Sequence, residues 1–232
     1  MKEVNNINRL YSLDALRGFD MFWIIGAEEI FHKMAEIKSN IFWHGLSNQF
    51  IHPEWNGFVF YDLIFPLFLF LSGVATPYSI GNQIAKGKKK GDLLKKVIKR
   101  GLILVLLGIV YNNGLEIKSM EEIRFGSVLG RIGLAYMFAN IIYLFANQRN
   151  QIAWFFSLLI GYWGIILFFS APGFSPGDLS IEGNIISYLD RVIMPGKLFL
   201  GIHDPEGLFS TIPAISTALL GIYTGNILIK TN

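Results

Sequence analysis

The sequence predicts an all-α fold, a polytopic transmembrane helical bundle of about six spans. Three observations carry that expectation. Of 232 residues, 52% are hydrophobic, only 16% are charged, and the mean hydropathy is +0.44. An average soluble domain reaches about 45–50% apolar with glycine already counted. Here 24 glycines come on top, and the surplus has to face lipid. The apolar residues gather into six stretches long enough to cross about 30 Å of hydrocarbon at about 1.5 Å per residue. The basic residues concentrate in one link between two of them. These features argue against a cytosolic enzyme or a disordered chain. With no cysteine, disulfides, thiolate zinc sites and a Cys nucleophile are excluded. The net charge of +3 does not imply nucleic acid, because the basic residues do not lie on a soluble face.

The six stretches are taken in order. Residues 13–34 open with Asp14, Arg17 and Asp20 and lack a following small-residue cleavage site, so they are not a signal peptide. Residues 57–83 follow Asn56, a natural N-cap. Residues 97–115 follow the basic segment. Residues 125–146 carry Gly126 and Gly130, a small-xxx-small face for close helix packing. Residues 152–170 follow the NQRNQ turn. Residues 208–229 are prefaced by Asp204 as N-cap, Pro205 at the first helical position and Glu206 at the positive end of the dipole. Gly221 and Gly225 give that span a second packing face.

The link at 84–96 and the residues just after it hold Lys86, Lys88, Lys89, Lys90, Lys95, Lys96, Lys99 and Arg100 of the 20 basic residues. The segment is therefore expected to be a cytoplasmic loop, touching anionic head groups or, alternatively, docking a phosphorylated cofactor. Alternation then places the N-terminus, 147–151 and the C-terminus inside, and 35–56, 116–124 and 171–207 outside. Segment 171–207 is expected to form an ordered outer cap with an amphipathic helix at 184–193, because it carries Tyr188, Leu189, Val192, Ile193, Leu198 and Phe199. The whole of 1–232 is expected to be a single transmembrane domain.

Ionisable groups within spans cost free energy on insertion and are functional candidates by default. Arg17 is three residues from both Asp14 and Asp20, within reach of each on one helix face. Glu28 and Glu29 are expected to reach water at the outer end of that span. His52 precedes Pro53, which favours an extended backbone. Trp55 and Asn56 stand beside it. Asp62 falls six residues past Asn56, about 9 Å into the bilayer, and must find a donor; Pro66 frees a carbonyl there. Arg131 enters the fourth span from the outer end, and His203, Asp204 and Glu206 emerge on the same outer side as His52. This pattern suits a transmembrane enzyme. It also suits a transporter or binding protein for a small polar solute, although no internal repeat of the transporter kind is found. Walker A, HExxH and GxSxG motifs are absent from the sequence.

Four motifs together suggest a family: LYSLDALRGFDMFWII (10–25), HPEWNGFVFYDLIFPLFLFLSG (52–73), GSVLGRIGLAYMFA (126–139) and DPEGLFSTIPAISTALLGIYTG (204–225). In this order they resemble the heparan-alpha-glucosaminide N-acetyltransferase family and its bacterial homologues. The first motif is also similar to the start of other membrane acyltransferases, which keeps an envelope polysaccharide O-acetyltransferase as an alternative. The resemblance implies acetyl-CoA as co-substrate, no metal, a glucosamine-type amino sugar or glycan as acceptor, and a bacterial inner membrane location. It implies more spans than six, so the chain is expected to be C-terminally truncated relative to the family. It maps the catalytic histidine to His52. From its polarity and depth, Asp62 is expected to orient that histidine. Asn56, Trp55, Arg131, Asp204 and Glu206 are the expected substrate-binding residues, and Asp14 and Arg17 the expected contacts for acetyl-CoA. The lipid bilayer and a homodimer complete the partners considered.

Overall fold

A computed structural model of the chain describes residues 10–38, 40–116 and 118–231. The first nine residues, expected inside, lie outside the described ones. Among the described residues the structure is helical without strands, with isolated bridges at Arg124–Gly196 and Ser170–Asn184. Helix α1 spans Tyr11–Phe22 and α2 spans Glu28–Ile37, joined by a π-helical turn at Trp23–Ala27. Gly26 breaks the helical path there with φ +113°, a conformation that costs only glycine little. Helix α3 (Ile41–Asn48) is capped by Asn40, whose side chain accepts from the Trp43 amide at 3.0 Å. A 3₁₀ turn at Phe60–Leu63 leads into α4 (Ile64–Thr76), a π-turn at Pro77–Gly81 and α5 (Asn82–Ala85). Then follow α6 (Lys90–Asn113), α7 (Val128–Phe145), α8 (Gln148–Phe168), α9 (Ile185–Ile193) and α10 (Thr211–Thr231).

Four of these helical stretches are long and apolar enough to cross a membrane: Phe60–Ala85, Val128–Phe145, Gln148–Phe168 and Thr211–Thr231. The first expected span falls short because Gly26 divides it into α1 and α2. The third expected span is the 24-residue α6, about 36 Å long at the standard rise. Its first half carries Lys95, Lys96, Lys99 and Arg100. The basic segment is consequently a four-residue link, 86–89, followed by the opening turns of a helix. Lys is a good helix former, and a run of lysines need not be a loop. The cap helix expected at 184–193 is present as α9, its start fixed by the Asn184 side chain accepting from the Ile186 amide at 2.8 Å.

The chain divides into two compact units, Met1–Leu71 and Ser72–Asn232. The first is built on aromatic rings. Trp23 and Phe50 stack at 5.0 Å, Phe31 and Phe50 at 4.8 Å, and Phe60 meets both Trp23 and Phe50 edge-on. His32 Nδ1 bonds Ser47 Oγ at 2.7 Å and ties α2 to α3. In the second unit α6 packs on α7, and α10 packs on α7 and α8. The seam between α6 and α7 is glycine-lined: a Cβ on Gly133 would stand 2.7 Å from the Gly101 carbonyl oxygen. Of the small-residue face expected at Gly126 and Gly130, Gly126 precedes α7 and lies against the Asp204 carboxylate, whereas Gly130 faces α6 together with Gly133. Backbones this close exchange many dispersion contacts, the main attraction available between helices in lipid.

Candidate active site

The first unit holds the arrangement with the clearest chemical use. Its loop, 49–59, is shaped by Gly57 at φ +153°, where a Cβ would stand 2.8 Å from the Pro53 ring. The Phe60 amide donates to Gln49 Oε1 at 3.2 Å and the Tyr61 amide to the Gln49 carbonyl at 3.1 Å, anchoring both ends of the loop. Asp62 Oδ2 accepts from the Val59 amide at 2.9 Å. The helix therefore starts at Phe60 with Val59 as its N-cap, three residues beyond the expected cap Asn56, and Asp62 in its first turn reaches back to the N-cap amide. A carboxylate reaching back three residues satisfies an otherwise orphaned amide and meets the positive end of the dipole. Asn56 is exposed in the loop and Trp55 is half-buried.

The other Asp62 oxygen, Oδ1, lies 2.6 Å from His52 Nδ1. An ionised carboxylate can only accept, so Nδ1 carries the proton and Nε2 presents a lone pair. The Asp62 side chain is 26% exposed and that of His52 62%, so the imidazole is held from one side and open on the other. The Tyr61 ring flanks it at 5.1 Å between centroids. Tyr61 in turn donates its hydroxyl to Glu28 Oε1 at 3.0 Å. Glu28 is half-buried rather than free in water as its position near a span end suggested, because the turn at Gly26 redirects α2. Glu28 could not be placed beside Tyr61 from spacing alone, since they sit 33 residues apart.

Asp14 and Arg17, both half-buried on α1, form a loose pair at 3.9 Å. Arg17 does not gather Asp20 as well: Asp20 is fully buried, and neither of its oxygens meets a donor among the described residues.

The remaining expected site residues lie in the second unit. Arg124 donates Nε and Nη2 to the two Asp204 oxygens at 2.8 and 2.7 Å, and Nη2 also bonds Glu206. Asp204 accepts further from the Phe199 amide at 3.1 Å and the Glu206 amide at 3.0 Å, and it is fully buried. Burial alone would raise its pKa, but the Arg124 guanidinium outweighs burial and holds the carboxyl below its ordinary value. Glu206 goes the other way, raised by burial. Arg124 was missed because a lone arginine in a polar link reads as a topology marker. Asp204 was expected to cap the last span, yet α10 begins only at Thr211. Asp204 closes a turn upstream, with Pro205 and Gly207 keeping the chain out of helix. Arg131 donates to the carbonyls of Pro205 and Ser210 at 3.2 and 3.0 Å. With Ser127 and Glu206 it supplies polar lining to an otherwise apolar cavity of about 180 Å³.

Asp190 of α9 is also fully buried. Its Oδ1 accepts from the Phe209 amide at 3.2 Å, while Oδ2 meets no donor among the described residues. Burial pushes its pKa up to about 6. A carboxyl raised in the fold stabilises below its ordinary value near 3.8, and the contribution is lost as pH rises through about 6. Asp190→Asn therefore raises the stability of the detergent-solubilised protein at pH 7.5 by on the order of 1–2 kcal/mol, and the gain vanishes by pH 4. Thermal unfolding of both proteins at the two pH values measures this; an equal gain at both would exclude titration of Asp190 as the cause.

Comparison with known proteins bears on the whole chain. The family profile described as heparan-alpha-glucosaminide N-acetyltransferase, catalytic, matches residues 9–232. Human heparan-alpha-glucosaminide N-acetyltransferase is 26% identical over 269 aligned positions, covering 95% of this chain and 39% of the human protein. The mouse protein of the same name is 25% identical, covering 97% of this chain and 40% of its own length. The chain thus spans about two fifths of these relatives.

Proposed function

The chain belongs to the heparan-alpha-glucosaminide N-acetyltransferase catalytic family, and from that premise we propose that it transfers acetyl from acetyl-CoA to the amino group of a glucosamine-type sugar. In this reading it lies in a bacterial inner membrane with its N-terminus in the cytoplasm. The donor comes from the cytoplasm and the acceptor is on the outer side. One observation carries the chemistry: the His52–Asp62 pair at 2.6 Å, with Nε2 open.

The acceptor ammonium first gives one proton to water. Its nitrogen then attacks the thioester carbonyl carbon, and His52 Nε2 takes the second proton as the C–N bond forms. Asp62 holds the imidazole in the required tautomer and stabilises the imidazolium. The tetrahedral intermediate collapses by breaking the C–S bond, and the departing thiolate receives the proton from His52. The products are the N-acetyl sugar and free CoA thiol. Asn56, four residues from His52 in the same loop, offers an amide donor to the developing oxyanion. Trp55 offers a face for the sugar ring. In the second unit, Glu206 and Arg131 are the polar groups available to a ligand in their cavity, whereas Asp204 serves chiefly to hold Arg124. Asp14 and Arg17, half-buried on α1, are the proposed contacts for the acetyl-CoA head.

Membranes bearing the full-length protein, given labelled acetyl-CoA and glucosamine, should produce labelled N-acetylglucosamine. Asp62→Asn should lower kcat by roughly 10–100-fold with little effect on either KM, since an amide at that position favours the wrong tautomer. Absence of any labelled product from the wild-type protein would sink the reading.

A further inference from the structure

We propose that Glu28 is the anionic contact for the acceptor's ammonium group, a role that rests on the acetyltransferase reading of the same site. Glu28 Oε1 is fixed by the Tyr61 hydroxyl at 3.0 Å. Oε2 is buried and meets no donor among the described residues. A desolvated carboxylate oxygen without a donor is unfavourable, and a bound cation with N–H groups to spare relieves it. The same tyrosine flanks the His52 imidazole at 5.1 Å between ring centroids, so one side chain separates the carboxylate from the base. An amine bound at Oε2 is thus held beside the tyrosine that packs on the catalytic imidazole.

The other carboxylates of the chain are less suited. Asp204 is saturated by Arg124 and two amides, and Glu206 shares the same guanidinium. Asp62 is taken by His52 and the Val59 amide. Asp20 also lacks a donor but is fully buried, with no hydrogen bond leading from it to His52. Among the described residues, buried carboxylate oxygens without a donor belong to Asp20, Glu28 and Asp190. Of these, Glu28 is the one bonded to the tyrosine beside His52. Its charge would select an amino sugar over the neutral sugar of the same shape.

The test is isothermal titration of the full-length protein in detergent with glucosamine, and with glucose as the uncharged counterpart. The wild-type protein is expected to prefer glucosamine at pH 7. Glu28→Gln keeps an acceptor for the Tyr61 hydroxyl and removes only the charge. It should weaken glucosamine binding at least tenfold, abolish the preference over glucose and leave acetyl-CoA binding unchanged. Tyr61→Phe keeps the charge but releases it, and should weaken glucosamine about threefold. A Glu28→Gln protein that binds glucosamine as the wild type does, or a wild type without preference between the two sugars, overturns the proposal. A wild type that binds glucosamine through Glu28 yet transfers no acetyl group would refute the enzymatic reading and leave the recognition standing.

Discussion

Replacing His52 by alanine lowers kcat for acetyl transfer by about 10²–10⁴-fold, the usual contribution of a positioned general base. Acetyl-CoA binding should stay within about twofold, because a base acts mainly in the transition state. The expectation follows from the geometry: Nδ1 is committed to Asp62 at 2.6 Å, which leaves Nε2 as the working nitrogen. Steady-state kinetics with both substrates varied, together with a direct acetyl-CoA binding measurement, separates the two effects. Loss of acetyl-CoA binding in step with kcat would move His52 from base to donor-site contact. The same imidazole could carry the acetyl group covalently. Its 62% exposure favours direct transfer, since an acetyl-imidazole open to water would hydrolyse. Acetyl trapped on wild-type protein incubated with acetyl-CoA alone would establish the two-step route instead.

Arg124→Met should destabilise the protein by about 3–5 kcal/mol, the usual cost of removing one partner from a buried ion pair. Arg124 answers both Asp204 and Glu206, and Asp204 has no exposure through which to recover solvation. The sign of the pH dependence follows. In the wild type the Asp204 carboxyl is raised by burial but held below its ordinary value by Arg124. Its contribution is therefore present above the ordinary carboxylate range and lost as pH falls through its lowered pKa. Without Arg124, burial, the largest single influence on Asp204, is opposed only by the Glu206 and Phe199 amides, and the variant should become more stable as pH falls. Thermal unfolding in detergent between pH 4 and 8 would show the opposite slopes. Arg124→Lys restores charge but not the two-pronged fit, and should recover only part of the loss. A variant slope parallel to the wild type would show that the pair does not govern this behaviour.

What could be read from the sequence was what local pattern determines. The apolar Tyr188, Leu189, Val192 and Ile193 announce α9, and Gly130 announces a close helix contact. His52 and Asp62 were expected to act together, and the structure gives the pair its geometry, Nδ1 to Oδ1 at 2.6 Å. Four things were beyond reach for physical reasons. Asn56 is a good capping residue, and only the fold of the loop around Gly57 decides that the helix starts at Phe60, with Asp62 reaching back to the Val59 amide. The helix after Asp204 starts at Thr211 because Asp204 is engaged by a residue 80 positions away. Glu28 reaches Tyr61 through a turn whose positive φ at Gly26 no hydropathy pattern reports. Arg124 had the weakest signal of all, since nothing around it in sequence distinguishes it from a surface arginine.

The separation of 80 positions between Arg124 and Asp204 also sets a clock. At roughly 5–20 residues per second a ribosome needs about 4–16 s to travel from one to the other. In that interval α7, α8 and α9 are synthesised while the guanidinium still has only water or a chaperone for company. The latch can close only after the apolar helices between its halves have been handed to the bilayer.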